Sequence, residues 1–291
     1  MTHVLTLISS VKTAELNEEI KNKYISALGA SSSKWLNQNV ALDIFFDGKY
    51  DKSLLRSLEA EKFDFAIQEI KTRRKKMLVA DMDSTIIQCE CIDELADFIG
   101  IKDKVSHITE AAMRGEIDFK GALEERVALL KGLSVADLET VFNERVKLTD
   151  GASTLVKTMN ANGANTILVS GGFTYFTEKV SDITGFKVNR ANILLHEDGK
   201  LTGKVGKPIV DSDTKINSLR EFQAKDGIEV HEIMAVGDGA NDIPMLVGSG
   251  LGIGYHPFPA AGEAADVVIK HGDLTALLYL QGYTVTDFVN N

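Results

Sequence analysis

The sequence predicts an α/β protein: a parallel sheet covered on both faces by helices, with a helical insertion and a smaller α/β module ahead of it. Three observations carry that prediction. Short runs dominated by apolar residues, Met77–Ala80, Thr166–Val169 and Glu232–Val236, each end in a cluster of polar residues and glycine. Amphipathic stretches such as Gly151–Asn162 and Thr214–Ala224 lie between them. The stretch from about Cys91 to Thr149 interrupts the rhythm, being rich in helix formers with no convincing strand. Continuous apolar strands separated by helices indicate a parallel sheet, because the crossover helices bury both of its faces. The interrupting stretch then reads as a helical cap inserted after the first strand, above the end where such sheets bind ligands.

Taken in order, His3–Ile8 and Val40–Phe46 read as strands from their apolar β-branched and aromatic content. Leu16–Leu28 and Ser53–Glu61 carry helical spacing, and Phe63–Ile67 reads as a closing strand. The expected order is β-α-β-α-β, with no catalytic constellation in it. Next comes Lys71-Thr72-Arg73-Arg74-Lys75-Lys76, five positive residues in six. A run of like charge repels itself and stays solvated, so it is expected to be the exposed approach to a new domain. The expected division is 1–75 for the small module and 76–291 for the larger domain, with the cap at about 91–149. Within the cap, Ala111–Arg114, Ala122–Lys131 and Val135–Val146 are the helical stretches.

Composition bounds the function. At about 150 residues per domain, 291 residues suggest two domains. The 44% hydrophobic and 25% charged content is that of an ordinary globular chain. With 32 basic against 42 acidic residues, the net charge of −10 disfavours nucleic acid and anionic membranes as partners. Cys89 and Cys91 are the 2 cysteines, too few for a disulfide scaffold or a structural zinc site. No signal peptide and no apolar run of membrane-spanning length is read, so the expectation is a soluble cytoplasmic protein.

Four clusters carry candidate chemistry. Asp81-Met82-Asp83-Ser84-Thr85 places two carboxylates just beyond a strand, which suits a hard cation with phosphate or, equally, an ordinary Asx or Ser turn. Ser170-Gly171-Gly172 offers a hydroxyl and unobstructed backbone N–H groups to phosphate oxygens, or is a plain strand-to-helix turn. Lys215 is either a buried ammonium facing phosphate or a solvated surface residue. Gly237-Asp238-Gly239-Ala240-Asn241-Asp242 resembles a metal-binding turn, or a helix N-cap with acids in the first turn. The glycines of 248–254 lack the spacing of a dinucleotide fingerprint, and 203–208 lacks that of a nucleotide-binding loop.

In order and in placement at strand ends, these clusters resemble the four motifs of the haloacid-dehalogenase-like phosphatases. The match extends over about residues 76–282. Glu90, Phe119 and Arg126 in the insertion are similar to the substrate-recognition residues of the phosphoserine phosphatase family within that group. The resemblance implies a Rossmann-like core, Mg²⁺ as cofactor and O-phospho-L-serine as a small-molecule substrate, hydrolysed as the last step of serine biosynthesis. By the same resemblance Asp81 is the nucleophile that forms an aspartyl-phosphate, and Asp83 the general acid and then base. Mg²⁺ is held by Asp81, the backbone carbonyl of Asp83, and Asp238. Ser170, Gly171 and Lys215 hold the phosphoryl group, with Asn241 as a further contact. Glu90 pairs with the substrate ammonium and Arg126 grips its carboxylate; without the resemblance these two read as an exposed helix ion pair. Thr85, Gly172 and Asp242 are supporting residues, Asp242 orienting the metal site or Lys215. Met113 and Phe119 supply apolar cover or belong to the core of the cap. Transfer of the phosphoryl group to another small alcohol such as homoserine, hydrolysis of another phosphomonoester, and a non-catalytic amino-acid sensor are the alternatives. The first module resembles ACT-like ligand-sensing modules but is read one strand short of their pattern; a packing or homodimerisation role is the other expectation.

Overall fold

The computed structural model describes residues 1–114 and 116–289, with the side chains of Lys52, Ser53 and Met113 outside the described set. The first module runs β1 (His3–Ile8), α1 (Glu18–Leu28), β2 (Ser32–Asn37), β3 (Ala41–Phe46), α2 (Lys52–Glu59) and β4 (Asp64–Glu69). Its sheet has the order β2-β3-β1-β4, with β1 antiparallel to both β3 and β4. Strand β2 is the one absent from the sequence reading, and it brings the order to β-α-β-β-α-β, compatible with an ACT-like module. It was hard to read because it is an edge strand whose residues, apart from buried Leu36, are exposed or half-buried. Leu5, Leu7, Leu42, Ile44 and Phe46 pack beneath the helices with Tyr24 and Leu58. Ile8, Leu36, Ala41 and Ala66 instead join the core of the rest of the chain.

That shared core corrects the expectation for the basic run. Lys71, Arg74 and Lys76 are exposed as expected, but Arg73 and Lys75 are built into the junction. Arg73 Nη1 lies 2.8 Å from Oδ2 of fully buried Asp43. The Arg74 guanidinium stacks 3.4 Å above the ring of Tyr283. Lys75 is only 7% exposed, and its Nζ donates to the carbonyls of Thr72 (3.0 Å) and His231 (2.7 Å). Each cation has a specific partner, which removes the self-repulsion that would have kept the run in water. Buried Asp64 adds a clasp, its carboxylate accepting the N–H groups of Lys270 (2.8 Å), His271 (3.1 Å) and Gly272 (2.7 Å).

The larger part continues with β5 (Met77–Ala80), then the cap helices α3 (Cys91–Phe98), α4 (Lys102–Met113), α5 (Phe119–Leu129) and α6 (Val135–Arg145). After them come α7 (Ala152–Ala161), β6 (Asn165–Phe173), α8 (Thr174–Thr184), β7 (Val188–Asn192), β8 (Leu194–Glu197), β9 (Lys200–Val205) and α9 (Ser212–Asp226). The chain ends with β10 (Ile233–Gly237), α10 (Ile243–Gly248), β11 (Leu251–Tyr255), α11 (Pro259–Ala264), β12 (Val267–Ile269) and α12 (Ala276–Leu280). The sheet order is β12-β11-β10-β5-β6-β7, and every pairing in it is parallel. Strand β5 therefore lies between β10 and β6, which puts the three strand-end clusters side by side. This is where the strand order reverses and where such sheets open a crevice.

The cap leaves and rejoins the sheet through two paired segments. Gln88 N–H donates to the Lys147 carbonyl and Thr149 N–H to the Ile86 carbonyl, both at 2.9 Å. The antiparallel hairpin β8-β9 supports the cap from the side, with Leu201 N–H donating to the Leu133 carbonyl at 2.7 Å. Serine 134 and Asp137 form a capping box at the start of α6, which fixes where that helix begins. Among the described residues, no helix is long and apolar enough to cross a membrane.

Candidate active site

Strand β5 ends at Ala80, and Asp81 N–H still donates to the Val236 carbonyl of β10 at 3.0 Å. The chain then curls through Met82–Ile86, with Ser84 in the left-handed region at φ 54°. That turn brings Asp81 and Asp83 into the same buried cavity, 2% and 5% exposed. Asp81 Oδ1 accepts the Met82 N–H and lies 2.8 Å from Lys215 Nζ. Asp83 Oδ1 accepts the Cys91 N–H at 2.8 Å, and its Oδ2 accepts the Ser170 hydroxyl at 3.1 Å. Burial, together with the Asp242 charge, pushes Asp81 up to about 7 despite Lys215. Burial also holds Asp83 above the ordinary carboxylate range.

Ser170-Gly171-Gly172 is not a turn. Strand β6 runs through it to Phe173, with its register to β7 interrupted between Val169 and Phe173. Both glycines are required by close approach. A Cβ on Gly171 would lie 2.6 Å from Phe119 Cζ, and one on Gly172 would lie 2.5 Å from Asp83 Oδ2. The Gly171 carbonyl accepts the side-chain amide of Asn192 at 2.8 Å, a support that no local sequence signal announced.

Lys215 is fully buried in the first turn of α9, 2.6 Å from Asp242 Oδ1. Burial acts against its charge, but Asp242 and Asp81 hold its pKa above the usual lysine value. Asp242 Oδ2 accepts the N–H groups of Asp238 and Gly239, each at 3.1 Å. Residue 237 must be glycine, because a Cβ there would lie 2.4 Å from the Asp242 carboxylate. Asp242 therefore both caps the turn and faces Lys215. Thr85 Oγ1 donates to Asp238 Oδ1 at 3.3 Å, and buried Asn241 Oδ1 has no hydrogen-bond partner.

From the cap, Glu90 accepts the Ser84 hydroxyl at 2.6 Å, and burial beside Asp83 and Asp238 raises it well above its ordinary pKa. Arg126 is 4% exposed on α5, so the exposed-ion-pair reading fails. Its Nε donates to the Ala122 carbonyl at 3.2 Å and its Nη1 to Thr109 Oγ1 at 2.9 Å. Half-buried Phe119 starts the same helix. Met113 ends α4, and its side chain lies outside the described residues. Asp81, Asp83, Glu90, Phe119, Arg126, Ser170, Gly171 and Asn241 line one cavity. Ile92, Leu123 and Phe173 line it as well and were not read from the sequence.

The donor set fits a hard divalent cation. Carboxylate oxygens of buried Asp81, Asp238 and Asp242 lie within 4.8 Å of one another. Burial, then Asp242 and Asp81, holds Asp238 well above its ordinary pKa. Five carboxyl groups (Asp81, Asp83, Glu90, Asp238, Asp242) converge here on the two cations Lys215 and Arg126. An excess of acid in a buried site is stabilised by protonation or by a cation, and all-oxygen donors favour the Mg²⁺ class.

Residues 78–247 match the family model for haloacid dehalogenase-like hydrolases. The chain is 46% identical over 220 residues to phosphoserine phosphatase from Polaromonas sp. (strain JS666 / ATCC BAA-500), covering 74% of this chain and 93% of that one. It is 40% identical over 223 residues to phosphoserine phosphatase from Haemophilus influenzae, covering 77% and 70%. Among solved structures, it superposes with a TM-score of 0.84 and 28% identity on a HAD family hydrolase from Salmonella enterica serovar Typhi, covering 96% and 98%. A phospho-aspartyl intermediate analogue of phosphoserine phosphatase superposes with a TM-score of 0.68 and 36% identity, covering 71% of this chain and 98% of that one.

Proposed function

The chain belongs to the haloacid dehalogenase-like hydrolases, and on that premise we propose that it is a Mg²⁺-dependent phosphatase that releases phosphate from O-phospho-L-serine. One observation carries the substrate reading: a single cavity joins the phosphate-facing residues Asp81, Ser170 and Gly171 to a carboxylate and a guanidinium, Glu90 and Arg126. Phosphoserine bears an anionic phosphate at one end and an ammonium and a carboxylate at the other. Glu90 faces the ammonium, whose charge favours the ionised carboxyl, and Arg126 takes the carboxylate.

In this reading the Asp81 carboxylate attacks phosphorus and the bond from phosphorus to the serine oxygen breaks. Asp83, whose affinity for a proton is raised by burial, delivers a proton to that oxygen, so serine leaves as a neutral hydroxyl. The resulting Asp83 carboxylate takes a proton from water, whose oxygen attacks the aspartyl-phosphate and frees Asp81 and inorganic phosphate. Ser170 Oγ and the Gly171 N–H bind phosphoryl oxygens, while Lys215 balances the spreading charge. Asn241, whose Oδ1 has no hydrogen-bond partner, contacts the substrate. Asp81, Asp238 and the Asp83 carbonyl would hold Mg²⁺, which supplies charge neutralisation and polarisation of the phosphoryl group when bound. Phe119, seated against Gly171, excludes water from the cavity. We assign residues 1–75 to a packing module on this catalytic part.

The test is Asp81→Asn. Turnover of phosphoserine is expected to fall by at least about a thousandfold, with the acid-labile phosphoenzyme lost and the circular dichroism unchanged. A folded Asp81→Asn protein that still turns over normally overturns the nucleophile assignment.

A further inference from the structure

Arg126 is held in place by a hydroxyl whose own proton is already committed. Thr109, 2% exposed on α4, lies 2.6 Å from Asp93 Oδ1 and 3.1 Å from the Val105 carbonyl, and its Oγ1 accepts from Arg126 Nη1 at 2.9 Å. A threonine hydroxyl has one proton and two lone pairs. The carboxylate of Asp93 is the closer and stronger of the two acceptors, so the proton points to Asp93 and a lone pair is turned to the guanidinium. With Nε on the Ala122 carbonyl and Nη1 on Thr109, the plane of the guanidinium is fixed at two points. Its Nη2 makes no hydrogen bond to a described residue. That leaves the free edge of the fork for the cavity that Arg126 lines.

Resting on the phosphoserine reading above, we propose that Thr109, oriented by Asp93, is a positioning residue that aims Arg126 and so sets selectivity for substrates bearing a carboxylate. Three cap elements take part: Asp93 comes from α3, Thr109 from α4 and Arg126 from α5. None of the three hydrogen-bonding partners is a neighbour in sequence, so the fork takes its aim only when the cap helices are packed. Neither Asp93 nor Thr109 lines the cavity, so both act through Arg126.

The experiment compares two phosphomonoesters: O-phosphoserine, and O-phosphoethanolamine, which keeps the phosphate and ammonium but lacks the carboxylate. Thr109→Val removes the hydroxyl at nearly constant volume. It is expected to raise KM for phosphoserine roughly tenfold or more, the effect of losing one hydrogen bond to a charged group, with kcat little changed. For phosphoethanolamine KM and kcat stay within about twofold of the wild type. Thr109→Ser restores phosphoserine KM, and Asp93→Asn, which weakens the pull on the hydroxyl proton, raises it in the same selective way. An equal rise in KM for both substrates, or no rise for phosphoserine in folded Thr109→Val and Asp93→Asn proteins, overturns the positioning role alone. A wild-type enzyme with no kcat/KM advantage for phosphoserine over phosphoethanolamine overturns both this role and the substrate reading on which it rests.

Discussion

The ammonium of Lys215 lies 2.8 Å from Asp81 Oδ1 in a pocket where neither side chain is more than 3% exposed. With Asp242 at 2.6 Å on its other side, Lys215 is shared by two buried carboxylates. Replacing it by methionine keeps the bulk but leaves both acids without their partner. A stability loss of about 3–5 kcal/mol is expected, because breaking a buried pair strands an uncompensated charge. In thermal unfolding, a Lys215→Met protein as stable as the wild type would contradict this. Phosphatase turnover in the folded fraction should fall at least about a hundredfold.

Mg²⁺ should stabilise the folded chain by mass action. At a hundred times its Kd the gain is about 2.7 kcal/mol, which shifts Tm by roughly 5 °C for a chain of this size. Thermal unfolding of chelator-treated protein titrated with Mg²⁺ reads that shift. Asp238→Asn should largely abolish it, and an undiminished shift in that variant would place the cation elsewhere.

Lys75 gives the junction between the two modules a pH dependence. Burial lowers its pKa to about 8, from an ordinary value of 10.5. Below about pH 8 both folded and unfolded chains hold the proton and the folded state bears the whole cost of burying it. Between about 8 and 10.5 the folded chain releases the proton first, so the unfolded state binds more protons and stability rises with pH. Wild type should therefore gain up to about 3 kcal/mol on a Lys75→Gln variant across that window. Unfolding midpoints measured in parallel from pH 7 to 10.5 test the sign; a constant difference between the two proteins would remove Lys75 as its source.

Asp64 ties the two modules through the backbone N–H groups of Lys270, His271 and Gly272. Asp64→Ala strands the N–H groups of residues 270–272 and should cost about 3 kcal/mol, whereas Asp64→Asn keeps one acceptor oxygen and should cost less. Urea unfolding of both variants gives the comparison. Equal losses would mean that neither the side chain's shape nor a single acceptor oxygen supports the loop, and that the charged pair of oxygens is needed.

The parallel sheet was legible because β5, β6 and β10 are continuous apolar runs, and a strand buried on both faces needs no alternation to announce itself. The three strand-end clusters were legible for a related reason: acids and glycines packed into a few residues stand out against such runs. Strand β2 escaped because an edge strand owes its conformation to backbone pairing with β3, which leaves little trace in side-chain pattern. The basic run misled in part because Arg73, Arg74 and Lys75 meet Asp43, Tyr283 and the His231 carbonyl, all far away in sequence.

By itself, then, the sequence determined which residues could do chemistry and that they stand at the ends of parallel strands. Only the tertiary structure decided that Asp242 both caps its turn and faces Lys215, that Phe119 packs on Gly171, and that Arg126 is buried and hydrogen-bonded to Thr109. The reason is physical. Residue type and strand position are local properties of the chain. The partner of a buried charge, by contrast, is set by which segments the packed sheet and cap bring within about 3 Å of it.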